Sequence, residues 1–172
     1  MTTLLLVRHG ETDWNAEGRL QGHTDRPLND YGRRQAAALA EELAVREIGA
    51  IYASDLARAR ETAEIVASRI GLPVALDVGL REKNWGSWEG LTPSERDRVE
   101  YVGETTEAHR ARVLRAVHRI AERHPGDEVV VVTHGGSLRR VQAAVLGMAL
   151  PVAANCSVWG CAYEGGALTP ID

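Results

Sequence analysis

Two histidines each follow a short apolar run, an arrangement that could bring both side chains into one pocket. Residues 4–7 lead directly into Arg8 and His9, and residues 129–132 lead, one threonine later, into His134. Apolar runs of this length, bounded by polar residues, are typical of buried parallel strands. Because ligands bind outside the carboxyl ends of strands in open α/β sheets, we expect both histidines at one binding edge. One such histidine alone would more simply be a polar loop residue.

Arg58 and Glu82 supply the further groups that phosphoryl chemistry would need. Arg58 lies near the start of a predicted helix that follows a predicted strand at 48–53, which places it at the same edge of the sheet. Guanidinium and imidazole groups suit a phosphoryl dianion and stabilise the charge on its oxygens during transfer. A histidine can form a covalent intermediate, and a glutamate can protonate the leaving oxygen and then deprotonate water. The candidate catalytic residues are Arg8, His9, Arg58, Glu82 and His134.

Other interpretations of these residues stay open at this point. Arg58 could be a solvated helix residue paired with Glu61, and Glu82 could be one more charged residue of an exposed loop. His9, His134 and Glu82 could instead form a metal site of two histidines and one carboxylate. Arginines beside such a site would repel a cation, and the HExxH spacing of helical zinc sites is absent. We therefore expect neither a metal nor another cofactor.

Length and composition are those of an ordinary globular protein. With 172 residues, of which 44% are hydrophobic and 26% charged, the chain is expected to form one domain over residues 1–172. A net charge of −4 and dispersed arginines argue against nucleic acid as a partner. Cys156 and Cys161 form neither a disulfide framework nor a CxxC motif. There is no signal-peptide pattern and no run of about 18 apolar residues, so we expect a cytoplasmic protein without a membrane partner.

Predicted strands alternate with predicted helices along the chain. The strands cover residues 4–7, 48–53, 73–76 (an edge strand), 129–132 and part of 157–163. The helices cover 32–47, a stretch from a cap at Ser54 or Asp55 to about Ile70, 93–99, 105–124 and 137–146. This alternation is typical of the α/β class, here a three-layer α/β/α sandwich with a mostly parallel sheet. Residues 13–31 show no helical period, and long ordered loops in compact domains are often functional.

The remaining histidines and two loop tryptophans have less distinctive positions. Three histidines are predicted to face solvent from or beside a polar, arginine-rich helix, namely His109, His118 and His124. His23 lies in the long loop near the site, and its role stays open. Trp85 and Trp88 are expected to pack within their own loop rather than to form a platform for substrate.

Five short motifs match, in order, those of one protein family. The first is Leu-Val-Arg-His-Gly-Glu-Thr at 6–12, followed by Asn15. The other four lie at 21–28, 53–63, 80–90 and 132–136. Together the five motifs strongly resemble those of the histidine phosphatase superfamily, the phosphoglycerate-mutase-like group. In that family the last four correspond, in order, to the substrate loop, the second arginine motif, the acid loop and the second histidine motif. The chain is most similar to small α-ribazole-phosphatase-like and phosphoglycerate-phosphatase-like members.

The resemblance implies a role for each matching residue. His9 would be the nucleophile, and Glu82 would be the acid for the departing alcohol and the base for water. The phosphoryl oxygens would be held by Arg8, Arg58 and His134. The substrate-binding residues would be Asn15, Gln21, Gly22, His23 and Gly135. The family mechanism needs no metal, which agrees with the argument from charge.

The segment that covers the site in many relatives is short in this chain. Only residues 91–104 are available for a lid, and residues 103–105 resemble the Gly-Glu-Ser that often opens the next helix. A mutase must exclude water to keep the phosphoryl group on its histidine, whereas a short lid leaves the site open. The resemblance and the lid length therefore predict a metal-independent phosphomonoesterase that acts on a small phosphorylated metabolite through a phosphohistidine intermediate.

Two alternatives to this prediction come from different functional classes. A phosphoglycerate mutase of the cofactor-dependent type is disfavoured by the short lid. A non-catalytic, phosphate-binding regulatory module is disfavoured because all the expected catalytic residues are present. Family members act on α-ribazole phosphate, phosphoglycerates, phosphoserine and sugar phosphates, and the motifs do not indicate which of these is the substrate. The final strand could pair across a homodimer, although nothing in the sequence requires it.

Overall fold

A six-stranded sheet forms the centre of the computed structural model, which describes residues 1–171. The strands are β1 (Thr2–Arg8), β2 (Ile48–Ala53), β3 (Val74–Leu76), β4 (Glu128–Thr133), β5 (Val158–Glu164) and β6 (Ala167–Pro170). Their order across the sheet is β3-β2-β4-β1-β5-β6. The first four of these are parallel, whereas β5 and β6 are antiparallel to their neighbours. The sheet is therefore mostly parallel and β3 lies at its edge, as predicted.

Helices cover both faces of this sheet. They are α1 (Asp13–Ala16), α2 (Asp30–Leu43), α3 (Ala57–Ile70), α4 (Pro93–Arg96), α5 (Thr106–Glu122) and α6 (Gly135–Leu146), with 3-10 turns at Val78–Leu80 and Gly86–Trp88. Alternate side chains of β1 point to opposite faces, so Leu4 and Leu6 pack with α5 and α6, while Leu5 and Val7 pack with α2 and α3. Burial on both faces explains the continuous apolar runs, and the predicted three-layer sandwich is confirmed.

Besides the two 3-10 turns, one short helix and one short strand were not predicted from the sequence. Residues 13–31 contain α1, because Thr12 and Asn15 form a capping box that closes one helical turn. The predicted last strand is followed by β6, because Gly165 and Gly166 both adopt positive φ and close a tight hairpin. Each element is too short to show a period of its own in the sequence.

The parallel strands bring three carboxyl ends to one edge of the sheet. Arg8 at the end of β1 lies in register with Thr133 at the end of β4, and Ala53 at the end of β2 lies in register with Val132. The loops that follow these strands therefore meet above the same edge. Among the described residues, no helix is both long and apolar enough to cross a membrane.

Candidate active site

A cleft of about 230 Å³ lies at the edge where β1, β2 and β4 end. Arg8 is the last residue of β1 and His9 follows it, His134 follows β4, and Arg58 lies in the first turn of α3 after β2. All the residues predicted for the site line this cleft except His23 and His134. The fold thus places side chains that are distant in sequence around one small opening.

His9 is buried and has one ring nitrogen in use. Its Nδ1 atom lies 2.6 Å from the backbone carbonyl oxygen of Gly10, which can only accept, so Nδ1–H donates. Burial lowers the pKa of His9 well below its ordinary value, and the charges of Arg58 and Arg8 lower it further. The ring is therefore neutral near neutral pH, and its Nε2 atom carries the free lone pair that a nucleophile needs.

His134 lies behind His9, with its ring edge-on and the two ring centroids 5.2 Å apart. Its Nε2 atom is 2.8 Å from the hydroxyl of Ser54, which can donate to Nε2 or accept from it, and Ser54 also accepts from the Leu56 amide. Burial lowers the pKa of His134 well below its ordinary value, followed by the charge of Arg58. The Nδ1 atom of this neutral ring is buried without a hydrogen-bond partner.

Either Ser54 or Asp55 was predicted to cap the helix that follows β2. The N-cap of α3 is instead Leu56, which makes no side-chain capping bond. The hydroxyl of Ser54 pairs with His134, and the carboxylate of Asp55 pairs with Arg81 at 2.6 Å. Both side chains therefore bind residues that are distant in sequence instead of capping the helix.

The two predicted arginines are held by backbone carbonyls. Arg58 is 1% exposed and donates from Nη2 to the carbonyl of Gly22 at 2.7 Å and from Nη1 to that of Thr24 at 3.0 Å. Arg8 donates from Nη1 to the carbonyl of Ala153 at 2.6 Å. Burial lowers the pKa of Arg58 to about 10, so it stays protonated at neutral pH. The Nε atoms of both arginines are buried without partners, which leaves two N–H donors for an anion.

Glu82 forms one wall of the cleft. Its Oε1 atom accepts from the backbone N–H of Lys83, and its Oε2 atom accepts from that of Gly136 at the start of α6, both at 2.8 Å. Arg112 donates to the backbone carbonyl of Glu82 at 3.1 Å. The carboxylate is therefore fixed in position at the cleft, rather than being an exposed charge of a loop.

The prediction that His109 faces solvent is wrong. His109 is 1% exposed, and its Nε2 atom lies 2.9 Å from the hydroxyl of Ser137 and 3.7 Å from Oε1 of Glu82. Burial lowers its pKa to about 4, so the ring is neutral. His109 lies four residues before Val113, at the helical spacing of the buried face of α5. That spacing was the signal available in the sequence.

The other two histidines of this region are also less exposed than predicted. His118 and His124 are half-buried, and each packs edge-on against a tyrosine, Tyr163 and Tyr52 respectively. His124 also pairs with Tyr52 through its Nε2 atom at 3.0 Å. Both lie away from the cleft. The many arginines of α5 made the helix look more solvated than its packing allows.

The helix α1 and the loop that follows it form another wall of the cleft. Asn15, Gln21 and Gly22 line it, and Gly22 adopts φ +55°, where a Cβ atom would meet the carboxylate of Glu89. His23 lies behind this wall, and its Nε2 atom pairs with the backbone carbonyl of Glu82 at 2.9 Å. His23 therefore contacts the acid loop in this structure, whereas the resemblance implied contact with substrate.

Several residues of the cleft were not singled out from the sequence. They are Arg19, Leu20, Gly136, Arg139, Arg140 and Val152. Arg139 and Arg140 belong to α6, which begins directly after His134, and this proximity in sequence was the available signal. Trp85 stacks on Trp88 within its loop, as predicted, and also lines the cleft.

The described residues contain no group of three or more histidine, cysteine, aspartate or glutamate side chains arranged to hold a metal ion. His9, His134 and Glu82 were the set for which a metal had been considered. Arg8 and Arg58 lie at the same cleft, and their positive charges favour an anion there.

The fold, the two buried histidines and the cationic cleft define a phosphatase of the histidine type. The family model of the histidine phosphatase superfamily (branch 1) matches residues 4–169, and the chain belongs to this family. Phosphoglycerate mutase-like protein 4 of Arabidopsis thaliana is 41% identical, over 79% of this chain and 67% of that protein. The metal-independent phosphoserine phosphatase of the same plant is 37% identical, over 90% of this chain and 75% of that protein. The structure of mycobacterial glucosyl-3-phosphoglycerate phosphatase Rv2419c superposes with a TM-score of 0.88, at 31% identity, over 97% and 95% of the two chains.

Proposed function

We propose that this protein is a metal-independent phosphomonoesterase that hydrolyses a small phosphorylated metabolite through a phosphohistidine at His9. One observation carries the proposal. The Nε atoms of Arg8 and Arg58 and the Nδ1 atom of His134 are buried without partners, and all three residues lie beside the neutral imidazole of His9. Buried donors of this kind are costly unless a bound group accepts from them, and a phosphoryl group offers three oxygens that can.

In the first step, Nε2 of His9 attacks the phosphorus atom and the bond from phosphorus to the alcohol oxygen breaks. Glu82, in its protonated form, gives its proton to the departing oxygen, so the alcohol leaves neutral. Arg8, Arg58 and His134 donate to the other phosphoryl oxygens, on which charge develops during transfer. The products of this step are the free alcohol and His9 carrying the phosphoryl group on Nε2.

In the second step, the carboxylate of Glu82 takes a proton from a water molecule as that water attacks phosphorus. The bond from phosphorus to Nε2 of His9 breaks, inorganic phosphate forms, and Glu82 is protonated again. The carboxylate can serve both steps because two backbone amides, from Lys83 and Gly136, hold it at the cleft. Guanidinium groups supply the positive charge throughout, so the chemistry needs neither a metal nor a cofactor.

The remaining site residues are assigned to substrate binding, with Asn15 at the phosphate pocket and Gln21 and Gly22 at the substrate body. Asn15, Gln21, Gly22 and Gly135 line the cleft, and His23 acts on it only through the acid loop. The volume of about 230 Å³ suits a small metabolite. Relatives named for phosphoserine and for glucosyl-3-phosphoglycerate support a substrate of this size class. A cytoplasmic location and a homodimer stay predictions from the sequence.

The test is phosphate release from a panel of phosphomonoesters with excess EDTA, for the wild type and for His9→Ala. We expect metal-independent release by the wild type, none by His9→Ala, and one phosphoryl group on the His9 peptide by mass spectrometry after rapid quenching. His118→Ala, which removes a half-buried histidine outside the cleft, is the matched control and should keep the activity. Loss of activity in EDTA, or undiminished activity in His9→Ala, would contradict the proposal. Phosphate binding without turnover would indicate the regulatory module instead.

A further inference from the structure

His109 is a buried histidine that the two proposed steps do not use. It lies near the start of α5, and its Nε2 atom is 2.9 Å from the hydroxyl oxygen of Ser137 and 3.7 Å from Oε1 of Glu82. The imidazole therefore lies behind the carboxyl group that serves as acid and base. His109 is not among the described residues that line the cleft, so an influence of its side chain on catalysis has to pass through Glu82.

The hydrogen bonds of Ser137 indicate which nitrogen of His109 carries the proton. The Ser137 hydroxyl is 3.0 Å from the backbone carbonyl oxygen of Arg81, which can only accept. The hydroxyl has one proton, so it can donate to Arg81 and also bond His109 only when Nε2 of His109 donates to it. The imidazole thus presents an N–H group to Ser137, and a carboxylate oxygen of Glu82 lies 3.7 Å from the same nitrogen.

Three elements meet at this contact. His109 belongs to α5, Ser137 belongs to α6, and Glu82 belongs to the acid loop. Of the two amides that hold the carboxylate, that of Lys83 is in the same loop, so the Gly136 amide is the one that joins the carboxylate to α6. Ser137, the next residue, ties the same turn of α6 to the acid loop, and His109 bonds Ser137 from α5. Loss of the imidazole would leave a space beside Glu82 and would remove one partner of Ser137.

The charge state of His109 suits a group that supports both an acid and a base. Burial lowers the pKa of His109 to about 4, while the charge of Glu82 raises it. The other charged groups that face the ring are Arg112 and Arg140, which lower this pKa, and Glu104, which raises it. A cationic partner would favour the ionised form of Glu82 alone, whereas a neutral N–H group can support a carboxyl group in both forms. Glu82 has to be protonated in the first step and ionised in the second, and a neutral neighbour permits both.

A purely structural role does not account for an imidazole at this position. The other buried residues of α5 are apolar, namely Val113, Ala116, Val117, Ile120 and Ala121. The Nδ1 atom of His109 is buried without a hydrogen-bond partner, and this costs stability that an aliphatic side chain would retain. The helix thus places a polar ring on an apolar face at the point where that face approaches Glu82.

We propose that His109 is a positioning residue, which acts with Ser137 to hold the carboxyl group of Glu82 at the cleft in both its protonated and its ionised form. This inference rests on the proposed phosphatase function and adds two residues that lie outside the five motifs. Loss of this support should impair proton transfer by Glu82, because proton transfer depends on the placement of the acid, and should leave the binding of phosphate by the arginines intact.

The test compares two kinds of ester that differ in their need for an acid. An alkyl alcohol has to be protonated as it leaves, whereas p-nitrophenolate is stable enough to leave as an anion. The value of kcat/KM reports the steps up to the departure of the alcohol. For His109→Leu we expect kcat/KM to fall by about tenfold or more with the alkyl ester that the wild type hydrolyses fastest, and by less than about threefold with p-nitrophenyl phosphate.

Two further variants test the contact itself. Ser137→Ala removes the hydroxyl that His109 bonds and should show the same selective loss, and it carries the comparison if His109→Leu does not fold. His109→Gln can place an amide nitrogen near the position of Nε2, so it should restore part of the activity that His109→Leu loses with the alkyl ester. Circular dichroism and thermal melting of each variant establish that it is folded before its kinetics are compared.

The matched control removes another histidine of the same helix. His118 is half-buried in α5 and lies outside the cleft, so His118→Leu should keep the kcat/KM of the wild type with both esters.

The outcomes distinguish this inference from the phosphatase function itself. Equal losses with the two esters in the folded variants would indicate a general disturbance of the site and would overturn the positioning role. Unchanged kcat/KM with both esters in His109→Leu and in Ser137→Ala would overturn it as well. In either case, release of phosphate by the wild type would leave the phosphatase standing. No release from any alkyl ester by the wild type would overturn both proposals together.

Discussion

The reactivity assigned to His9 depends on which of its two nitrogens carries the proton. The carbonyl of Gly10 can only accept, so it fixes the proton of His9 on Nδ1 and leaves a lone pair on Nε2. The hydroxyl of Ser54 can donate to or accept from Nε2 of His134, so it pairs with either tautomer of that ring. The two histidines differ because one ring has a partner that can only accept and the other a partner that can do both.

Three buried histidines make the stability of the protein dependent on pH. Burial lowers the pKa of His109 to about 4 and those of His9 and His134 well below their ordinary value. In the unfolded chain these three imidazole rings become protonated near pH 6.5, whereas in the folded protein they become protonated only at a lower pH. Protonation therefore favours the unfolded state. Stability is therefore complete above about pH 6.5 and is lost as the pH falls toward 4.

Replacement of His109 by Gln should reduce this loss. The difference between pKa values of about 4 and 6.5 corresponds to at most about 3 kcal/mol of unfolding free energy. Urea denaturation between pH 6.5 and 4 should thus show a shallower fall for His109→Gln than for the wild type. Equal slopes for the two proteins would contradict the assignment of a buried, neutral His109.

At the scale of elements, one carboxylate joins the two loops that form the walls of the cleft. Glu89 accepts from the backbone N–H groups of His23 and Thr24, from the hydroxyl of Thr24, and from the N–H of Trp85. The loop that carries Gly22 is thereby tied to the loop that carries Glu82. Precise spacing between these walls is needed because small displacements of reacting groups are costly in rate.

Glu89→Gln should therefore weaken both stability and catalysis. The amide keeps the shape of the side chain but loses the charge and one acceptor, which should cost about 1–3 kcal/mol of unfolding free energy. We expect kcat/KM to fall as well, since Gly22 and Trp85 both line the cleft. Urea denaturation and steady-state kinetics measure the two effects. Glu107→Gln, in the exposed first turn of α5, is the control and should change neither the unfolding free energy nor kcat/KM. If Glu89→Gln also left both quantities unchanged, Glu89 would not join the two loops as described.

At the scale of the whole molecule, the cover of the cleft bears on the choice between hydrolysis and transfer. Residues 91–104 contain only one helical turn, α4, and then Tyr101, which packs on Trp88 with ring centroids 4.7 Å apart. The segment thus packs beside the acid loop, and none of its residues lines the cleft. An open cleft admits the water that the second step consumes.

We therefore expect phosphate release to exceed isomerisation. With 3-phosphoglycerate as substrate, the rate of phosphate formation should be greater than the rate of 2-phosphoglycerate formation, as followed by phosphorus NMR on one sample. The His9→Ala variant should show neither product. Interconversion of the two phosphoglycerates faster than phosphate release would support the mutase and contradict the argument from the short lid.

Much of the fold and of the site could be predicted from the sequence by itself, because both depend on patterns that are local in the chain. Continuous apolar runs at 4–7 and 129–132 indicate strands buried on both faces, and alternation with helices indicates a parallel sheet. Parallel strands end at one edge, so residues that directly follow them must meet there. Arg8, His9, Arg58 and His134 were predicted in this way, while Glu82 was a candidate for the chemistry of its side chain alone, because its loop has no periodic pattern, and the family motif then supported it.

Other features were decided only by the tertiary structure. His109 is buried because α5 packs against α6, and His23 contacts the acid loop because Glu89 draws the two loops together. The bond from Ser137 to the carbonyl of Arg81 likewise depends on which polar groups lie within reach in space. Helical periodicity tells which side of a helix is apolar, but not which polar groups of distant segments it meets. Burial and pairing of a side chain follow from those long-range contacts, and they set its charge, its donors and hence its chemistry.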